Sequence, residues 1–578
     1  MSIKKTAAAT EPAPTRPIPA GRRPLAGAVL VAALATVAAI LTSLPEWGGP
    51  GVTCDEPYHV LYGKRLVTAW RHQGLKFFLP ENIRQNFDWA SNPPPNAPPA
   101  HPPLGNWLLG WAHHLVDPYP DDPMVISVAA PRFVAALFFG LLVLLVGLAT
   151  VRMAGPLAGT VAAAGVFLVP RVFGHAHLAA MDMLTAFWFV AAILAVIEAD
   201  ARGGKWWHVL IAGIIWGLAM LTRLTGILVA PPVAVWLLWR LRLRAVVPLV
   251  FWGIAGLVTF FVGWPWLWLD PIGRMRQFFD TATNRVSIHV FYAGSVWGDA
   301  PGHQAPWHYA PVMFAVALPL GLLVVGLLGV WARRRLREGA PGYWLVMGSL
   351  ALVLVAFSWP GRPIYDGVRL FLMVFPLWAV SVGIGAKWVT EQWPLRRRSP
   401  LARAGVIGAF VAAQGIGLIL YHPCYLSHYS LLVGGLPGAE RLGFEVTYWG
   451  DSVTEDLLRE VASRAKGQVV LFAPNLAPYQ GLYVGLLSPS LAPLLEKRPL
   501  LEQGGTSIFG WGPEAGSGAA SRLYAVMYRR EANLAGLPGA LFEGTVLAER
   551  KVLGVSVARV VECPLFRGAA FSTRRPPR

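Results

Sequence analysis

The sequence predicts a polytopic α-helical membrane protein of about eleven transmembrane helices, with a small C-terminal α/β domain outside the bilayer. Three observations predict it. Hydrophobic residues make up 55% of the 578 and charged residues only 14%, whereas a soluble domain carries about 25% charged residues. The apolar residues fall in separate runs, several near the roughly 20 residues that cross hydrocarbon. The basic residues fall in short clusters between those runs, and past residue 422 the texture becomes that of a water-facing domain. Mean hydropathy is +0.49. The formal charge of +18 follows membrane topology rather than one basic face, so nucleic acid is not an expected partner.

Residues 1–24, rich in Pro, Ala and Thr, read as a disordered cytoplasmic tail. Candidate spans lie near 25–44, 129–151, 156–170, 178–198, 207–222, 224–239, 246–264, 310–332, 343–359, 369–386 and 404–421. The third, fifth and sixth are short, so they tilt little or dip and return. No small-residue cleavage site follows the first run, which reads as a retained anchor. With the N-terminus inside, the cytoplasmic connections carry Arg22 and Arg23, Arg152, Arg202 and Lys205, Arg240 to Arg244, Arg333 to Arg337, and Arg396 to Arg403. The positive-inside rule favours this frame over one shifted by a single span. The chain thus divides into the tail 1–24, a membrane domain 25–421 and an exoplasmic domain 422–578, in a cell inner (plasma) membrane.

Three segments are left outside: 45–128, 265–309 and everything after 422. In the first, DEPYHVLYGKRLVTAWRHQG and HPPLGNWLLGWAHHLV are amphipathic and suit interfacial helices, separated by the Pro-rich spacer SNPPPNAPPAHPP. In the tail, SVTEDLLREVASRA reads as a helix, and QVVLFA, RLYAVMYR and SVARVVE as strands. Cys54, Cys424 and Cys563 are too few for a disulfide framework; a Cys54–Cys424 bridge is conceivable, three unpaired thiols the simpler reading.

Several charges sit where a plain span has no use for them. Asp182, about one turn inside the outer end of the fourth span, is costly there unless it meets a partner or a cavity. Its bland reading is an acid favoured by a helix N-terminus. Asp55 and Glu56 open the first outer loop. Thr53 and Glu56 fit a capping box and Pro57 a first turn, which is compatible with chemistry. Arg132, Arg171, Arg223, Arg362 and Arg369 share that outer face. Each can snorkel to headgroups; together with the acids they suggest an anionic ligand reached from within the membrane. No GxxxxGK[ST] loop, Rossmann fingerprint, HExxH, paired CxxC or GxSxG is present. His101, His113, His114, His175 and His177 are outside, where interface histidines usually make amphipathic contacts.

With these loops in view, the chain resembles the lipid-carrier-dependent glycosyltransferases of the protein O-mannosyltransferase and aminoarabinose-transferase superfamily, the GT-C membrane fold (glycosyltransferase family 39-like). DEPYH after the first span looks like that family's Asp-Glu pair, HPPLGNWLLG like its second interfacial helix, SVAAPRFVAALFFG like its arginine-led second span, and HLAAMDMLTAFWF like its second acidic motif. WPWLWLDP, PWHYAPVMFAVALPLG, YDGVRLFLMVFP and YSLLVGGLPGAERLGFEVTYWGD are similar to segments of bacterial members. The likeness is spread over residues 50–465. His101 stands where many relatives have Lys, which shifts the burden of phosphate binding to the arginines. Trp449-Gly450-Asp451 is only superficially like an acceptor motif of oligosaccharyltransferases, and that role is not carried over.

The resemblance implies inverting transfer of a sugar from a polyprenyl-phosphate carrier to an acceptor hydroxyl of a protein, lipid or glycan. A carboxylate takes the acceptor proton, and cations stabilise the departing phosphate. On this reading Asp55 is the general base, Glu56 and Asp182 position acceptor or sugar, and Arg369, Arg132, Arg223 and His101 bind the donor phosphate. The resemblance also allows a divalent metal cofactor, though no ligand set here is convincing. Two rival readings are a transporter or lipid flippase and a non-catalytic anchor for the soluble tail. The first places charge near mid-bilayer; the second predicts that Asp55 and Asp182 do not converge.

Overall fold

The computed structural model describes residues 25–88, 99, 101–116, 126–283, 288–298, 302–335, 341–362, 364–464, 468–474, 500–502, 509–511, 522–534, 540–564 and 572–574. The expected N-terminal tail and most of the Pro-rich spacer lie outside the described residues.

Apolar runs become helices because a chain in hydrocarbon must satisfy its own backbone, and prolines set most of the boundaries. Helix α1 (Ala26–Ser43) leads to a layer of shorter helices: α2 (Asp55–Gln73), α3 (Pro80–Ile83) and α4 (Leu104–His114). Helices thus stand at both positions where interfacial helices are expected. They lie against one another through Gly63 and Gly110, where a Cβ on Gly110 would stand 2.2 Å from the Gly63 carbonyl. Only glycine allows that approach.

Next come α5 (Ala129–Ala154), α6 (Pro156–Phe167), the short α7 (Pro170–His175), α8 (Met181–Ala201), α9 (Trp206–Thr222), α10 (Ala230–Leu241) and α11 (Val246–Val262). A polar segment holds α12 (Pro271–Thr283) and a hairpin of β1 (Val290–Tyr292) and β2 (Ser295–Trp297). The bundle closes with α13 (Tyr309–Ala317), α14 (Leu320–Arg335), α15 (Gly342–Phe357), α16 (Val374–Glu391) and α17 (Pro400–Leu420). Helix α16 runs through the centre, buried along most of its length and carrying Ala379, Ser381, Gly383 and Gly385, small residues that let neighbouring backbones come close.

All eleven expected spans are helical. Length and composition alone single out five described helices as able to cross a membrane, or six when a bent pair counts as one. That pair is the expected span 310–332. It breaks by 111° between α13 and α14, because Pro319 pushes Leu318 into an extended backbone (φ −80°, ψ 132°). The continuous apolar stretch Leu224–Val262 is interrupted at Arg242, whose φ of 57° is left-handed, giving the two runs the sequence predicts.

Beyond α17 the chain does not pass straight into the α/β unit. Residues 421–454, including α18 (Gly435–Arg441), lie mostly buried against the bundle. The α/β domain follows. Helix α19 (Glu455–Arg464) precedes a mixed seven-stranded sheet of β3 (Val469–Ala473), β4 (Leu500–Glu502), β5 (Phe509–Trp511), β6 (Arg522–Tyr528), β7 (Thr545–Val552), β8 (Val555–Pro564) and β9 (Ser572–Arg574), with short α20 (Glu531–Leu534) and α21 (Ala540–Glu543). Strand order is β7-β8-β6-β3-β5-β4-β9; β3 and β6 are parallel and the other pairs antiparallel. The two-residue strand period sorts the core. Tyr524, Val526 and Tyr528 face Leu457, Leu458 and Val461 of α19, while Leu523, Ala525 and Met527 face Leu541. The expected helix and strands are all found. Cys54, Cys424 and Cys563 are buried and form no disulfide among the described residues.

Candidate active site

Charge is sorted to the two ends of the bundle. At one end Arg152 pairs with Glu198, and Arg240 donates to Asp200 at 2.7 Å, tying α5, α8 and α10 together. Glu198 and Asp200 stand near the end of α8. Asp55, Glu56, Asp182, Arg132, Arg171, Arg223 and Arg369 gather where α8 begins; Arg362 is exposed.

Asp55 is the first residue of α2. Its Oδ2 accepts from Arg369 Nη2 at 2.9 Å, and its side chain keeps 31% exposure, against 0% for Glu56, 3% for Asp182 and 4% for Asp366. Asp55 is therefore the acid of this cluster open to an incoming group. Burial pushes its carboxyl up, but Arg369, His59, the Cys54 thiol and Arg223 outweigh that and hold it below the ordinary carboxylate value. One turn on, burial drives the His59 imidazole down to about 4, against the pull of Asp55 and Asp182, so this ring is neutral at pH 7. His101 lies beside it, ring centroids 5.5 Å apart. His59 Nδ1 and Arg369 Nε are buried without a hydrogen-bond partner among the described residues. Such atoms cost stability and tend to mark functional positions.

Asp182 is the second residue of α8, just after the extended Ala180. Its Oδ1 accepts from Arg223 Nη1 at 2.7 Å. Arg223 reaches it because α9 stops there: its backbone is extended (φ −158°, ψ 147°) between α9 and a 3₁₀ turn. Asp55 and Asp182 lie within each other's field, and both act on His59 and Arg369. The two acids converge, contrary to the anchor reading. Both members of the Asp182–Arg223 pair sit at helix ends, not along the middle of a span.

Arg369 is the centre of the cluster. Besides Asp55 it donates through Nη1 to Asp366 Oδ2 at 2.9 Å, and its guanidinium lies over the Trp449 ring, 4.2 Å from the centroid. Asp366 and Trp449 both have left-handed backbones, φ 55° and 73°. Such conformations in non-glycine residues cost on the order of 1–3 kcal/mol and gather at functional sites. Trp449 arrives from the segment after α17, stitched to the loop before α2: Cys54 N–H donates to the Trp449 carbonyl at 3.1 Å and Gly51 N–H to that of Asp451 at 2.8 Å.

The geometry redirects two assignments. Glu56 is fully buried. It accepts from Arg132 Nε and Nη2 at 2.7 and 2.9 Å, from Thr53 N–H and Oγ1 at 2.9 and 3.1 Å, and from Ala179 N–H at 2.8 Å. Half of the expected capping box is present, the carboxylate reaching back to the Thr53 amide. Arg132 in turn donates to the Pro50 and Gly51 carbonyls at 3.0 and 2.7 Å and is 1% exposed. A guanidinium so engaged and so enclosed is not available to a phosphate, and a carboxylate with five donors has no lone pair for a sugar. Glu56 and Arg132 hold the chain on either side of Asp55 in place.

Among the described residues, no three His, Cys, Asp or Glu side chains are grouped to hold a metal ion. Asp366, Trp449 and Arg530, which donates to Asp366 Oδ1 at 2.6 Å, were not among the expected site residues. Asp366 is three residues from Arg369 and on the same segment, a signal spacing carries. Arg530 lies 164 residues further on, in a tail without a motif.

Residues 100–268 match the family model for dolichyl-phosphate-mannose-protein mannosyltransferase. That stretch contains three of the segments on which the resemblance was read, with His101, Arg132, Asp182 and Arg223; Asp55, Glu56 and Arg369 fall outside it. Among solved structures, the chain is similar to ArnT from Cupriavidus metallidurans bound to undecaprenyl phosphate, at 16% identity and TM-score 0.48, over 92% of this chain and 97% of that one. The apo state of that ArnT gives 15% identity and TM-score 0.49 over the same shares. The Archaeoglobus fulgidus oligosaccharyltransferase in its apo form gives 16% and 0.45, over 80% of this chain and 59% of that one. No curated protein sequence matches the chain.

Proposed function

We propose that this chain, which resembles the GT-C glycosyltransferases and matches a mannosyltransferase family model over residues 100–268, moves a sugar from a polyprenyl-phosphate carrier to an acceptor hydroxyl at the exoplasmic face of the cell membrane. The observation that carries the reading is the pairing of a partly open carboxylate, Asp55, with a buried guanidinium, Arg369, at 2.9 Å. Inverting transfer from a glycosyl phosphate needs a base on the acceptor side of the anomeric carbon and a cation on the leaving-group side; Arg369 pairs with Asp55 through Nη2 and keeps Nε, without a partner among the described residues, for the phosphate.

The acceptor oxygen attacks the anomeric carbon while Asp55 removes its proton. The bond from that carbon to the phosphate oxygen breaks, and the carrier phosphate leaves with one more negative charge. The cluster supplies the matching charge. Asp55, Asp182 and Asp366 balance Arg223, Arg369 and Arg530. When Asp55 becomes neutral, the ion pair to Arg369 Nη2 is released and one positive charge is uncovered beside the leaving group. Proton uptake and phosphate departure are thereby linked through one arginine, in a buried site where charge is weakly screened. Asp182, held by Arg223, borders the sugar, and His101 lies next to neutral His59. The position of Asp182 and Arg223 at helix ends favours chemistry at one face over passage through the bilayer.

Purified protein incubated with a panel of polyprenyl-phosphate sugars and hydroxyl acceptors is expected to release free carrier phosphate, and D55N to abolish that release while still binding carrier. Undiminished turnover in D55N would refute the base assignment. Absence of release with every donor would count against sugar transfer itself.

A further inference from the structure

The membrane cluster does not end at Arg369. Asp366 divides its carboxylate between two guanidiniums: Oδ2 takes Arg369 Nη1 at 2.9 Å and Oδ1 takes Arg530 Nη1 at 2.6 Å. Arg530 belongs to the exoplasmic domain, following β6 and preceding α20, and is as buried as any core residue, its side chain 2% exposed. Its other donors are committed too, Nη2 to the His289 carbonyl at 3.0 Å and Nε to Asn533 Oδ1 at 2.7 Å. Beside it Glu445 accepts from the amides of Phe291, Glu531 and Ala532, so the hairpin strand β1, the 421–454 segment and α20 are fastened where Arg530 enters. Gly367, with φ 64°, keeps the turn under Asp366 open: a Cβ there would stand 2.6 Å from Arg171 Nη1 and 2.8 Å from the Tyr448 ring. The carboxylate of Asp366 is thus fixed from its own backbone side as well.

We infer that Arg530 is a positioning residue for the transfer reaction, neutralising Asp366 so that the guanidinium of Arg369 is shared with Asp55 at the donor site. The reason lies in the distribution of charge. Without Arg530, Asp366 is a buried carboxylate with one remaining cationic partner, and Arg369 is drawn toward it. Asp55 then loses part of its counter-charge, and the leaving phosphate part of its stabilisation. The exoplasmic domain is on this account a working part of the active site, although it contributes no group that touches substrate.

This inference rests on the proposed sugar transfer for its kinetic test and on ligand binding for an independent one. The variants are R530M, R530K, D366N and D366N/R530M in the full chain. R530M is expected to lower kcat at least about tenfold and to move the acid limb of the pH–rate profile upward. The groups facing Asp55 are Arg369, His59, Cys54, Arg223 and Asp182, and of these Arg369 is the one R530M displaces. R530K restores a point charge opposite Asp366 and should recover part of the loss with the acid limb back in place. A role in domain packing alone would reduce the yield of folded protein and leave the pH profile of the folded fraction unmoved. The double variant decides the route: in D366N a neutral amide replaces the carboxylate and no longer competes for Arg369, so R530M should cost much less there than in the wild type, a non-additivity of roughly 2- to 150-fold. Additive losses, or an unmoved acid limb, overturn the inference. Where R530M does not fold, D366N alone tests the route: with no competing carboxylate Arg369 is held by Asp55, so the acid limb should move downward, and an unmoved limb overturns the inference. Binding of a short-chain polyprenyl phosphate, read in the absence of turnover, should weaken in R530M and be rescued in R530K. That pattern with no sugar transfer by the wild type would sink the proposed function and keep the coupling; transfer intact with no effect of R530M would do the reverse.

Discussion

Arg132 offers the sharpest separation between a residue that binds substrate and one that holds the site together. Its side chain is 2% exposed and that of Glu56 0%, so solvent screening gives little relief if one partner is lost. In R132M the Glu56 carboxylate keeps Thr53 and Ala179 as donors, but loses its counter-charge and two charge-assisted bonds, while the Pro50 and Gly51 carbonyls lose theirs. Removing one member of a buried ion pair costs about 3–5 kcal/mol. The loss falls on residues 50–56, the stretch that presents Asp55. R132M should therefore melt earlier in detergent, measured as monodisperse protein surviving a temperature series, and turn over more slowly with a nearly unchanged donor KM. Adding E56Q, which removes the stranded charge, should restore a good part of the thermal midpoint. An unaltered midpoint together with a raised donor KM would refute this reasoning and return Arg132 to the phosphate.

D55N should lower kcat by about 10²–10⁴, the usual worth of a general base, with carrier binding by equilibrium titration little changed. In the wild type, because Asp55 is held below the ordinary carboxylate value, the base form is already full at neutral pH and activity should fall only as pH drops through that low value. R369A removes the main opposing charge, so the same limb should move to higher pH and the donor requirement should rise; a pH–rate profile superimposable on wild type would contradict the pairing. R223M leaves Asp182 buried without its ion-pair partner and should reduce both stability and turnover, whereas D182N/R223M should regain stability without activity, separable by melting and carrier-release assays.

The amount legible in sequence followed the range of the interaction. Helices and strands came through because apolar runs and two-residue alternation are local signals, and the break at Pro319 was local too, though the surrounding hydropathy hid it. Asp55, Asp182, Arg223 and Arg369 were legible because a charge at the end of an apolar run has no cheap place to go. Spacing could not say which acid met which arginine. Glu56 and Arg132 had the same sequence credentials as Asp55 and Arg369, and only burial distinguishes the pair that is saturated from the pair that is partly open. Arg530 had no local signal at all, and Trp449 only a superficial likeness that carried no role; both are brought in by segments that return to the cluster after the last helix.

That return has a consequence for how the molecule comes into being. The amides of Gly51 and Cys54 find their acceptors only in Asp451 and Trp449, some 400 positions later in the chain. While synthesis is under way, the aspartate at the head of the second helix has no ceiling, and its arginine lacks the indole beneath it. The cluster is thus complete only once every span is threaded and the residues after the last helix are in place; on the proposed function, a half-built chain holds the parts of the site without being able to spend carrier.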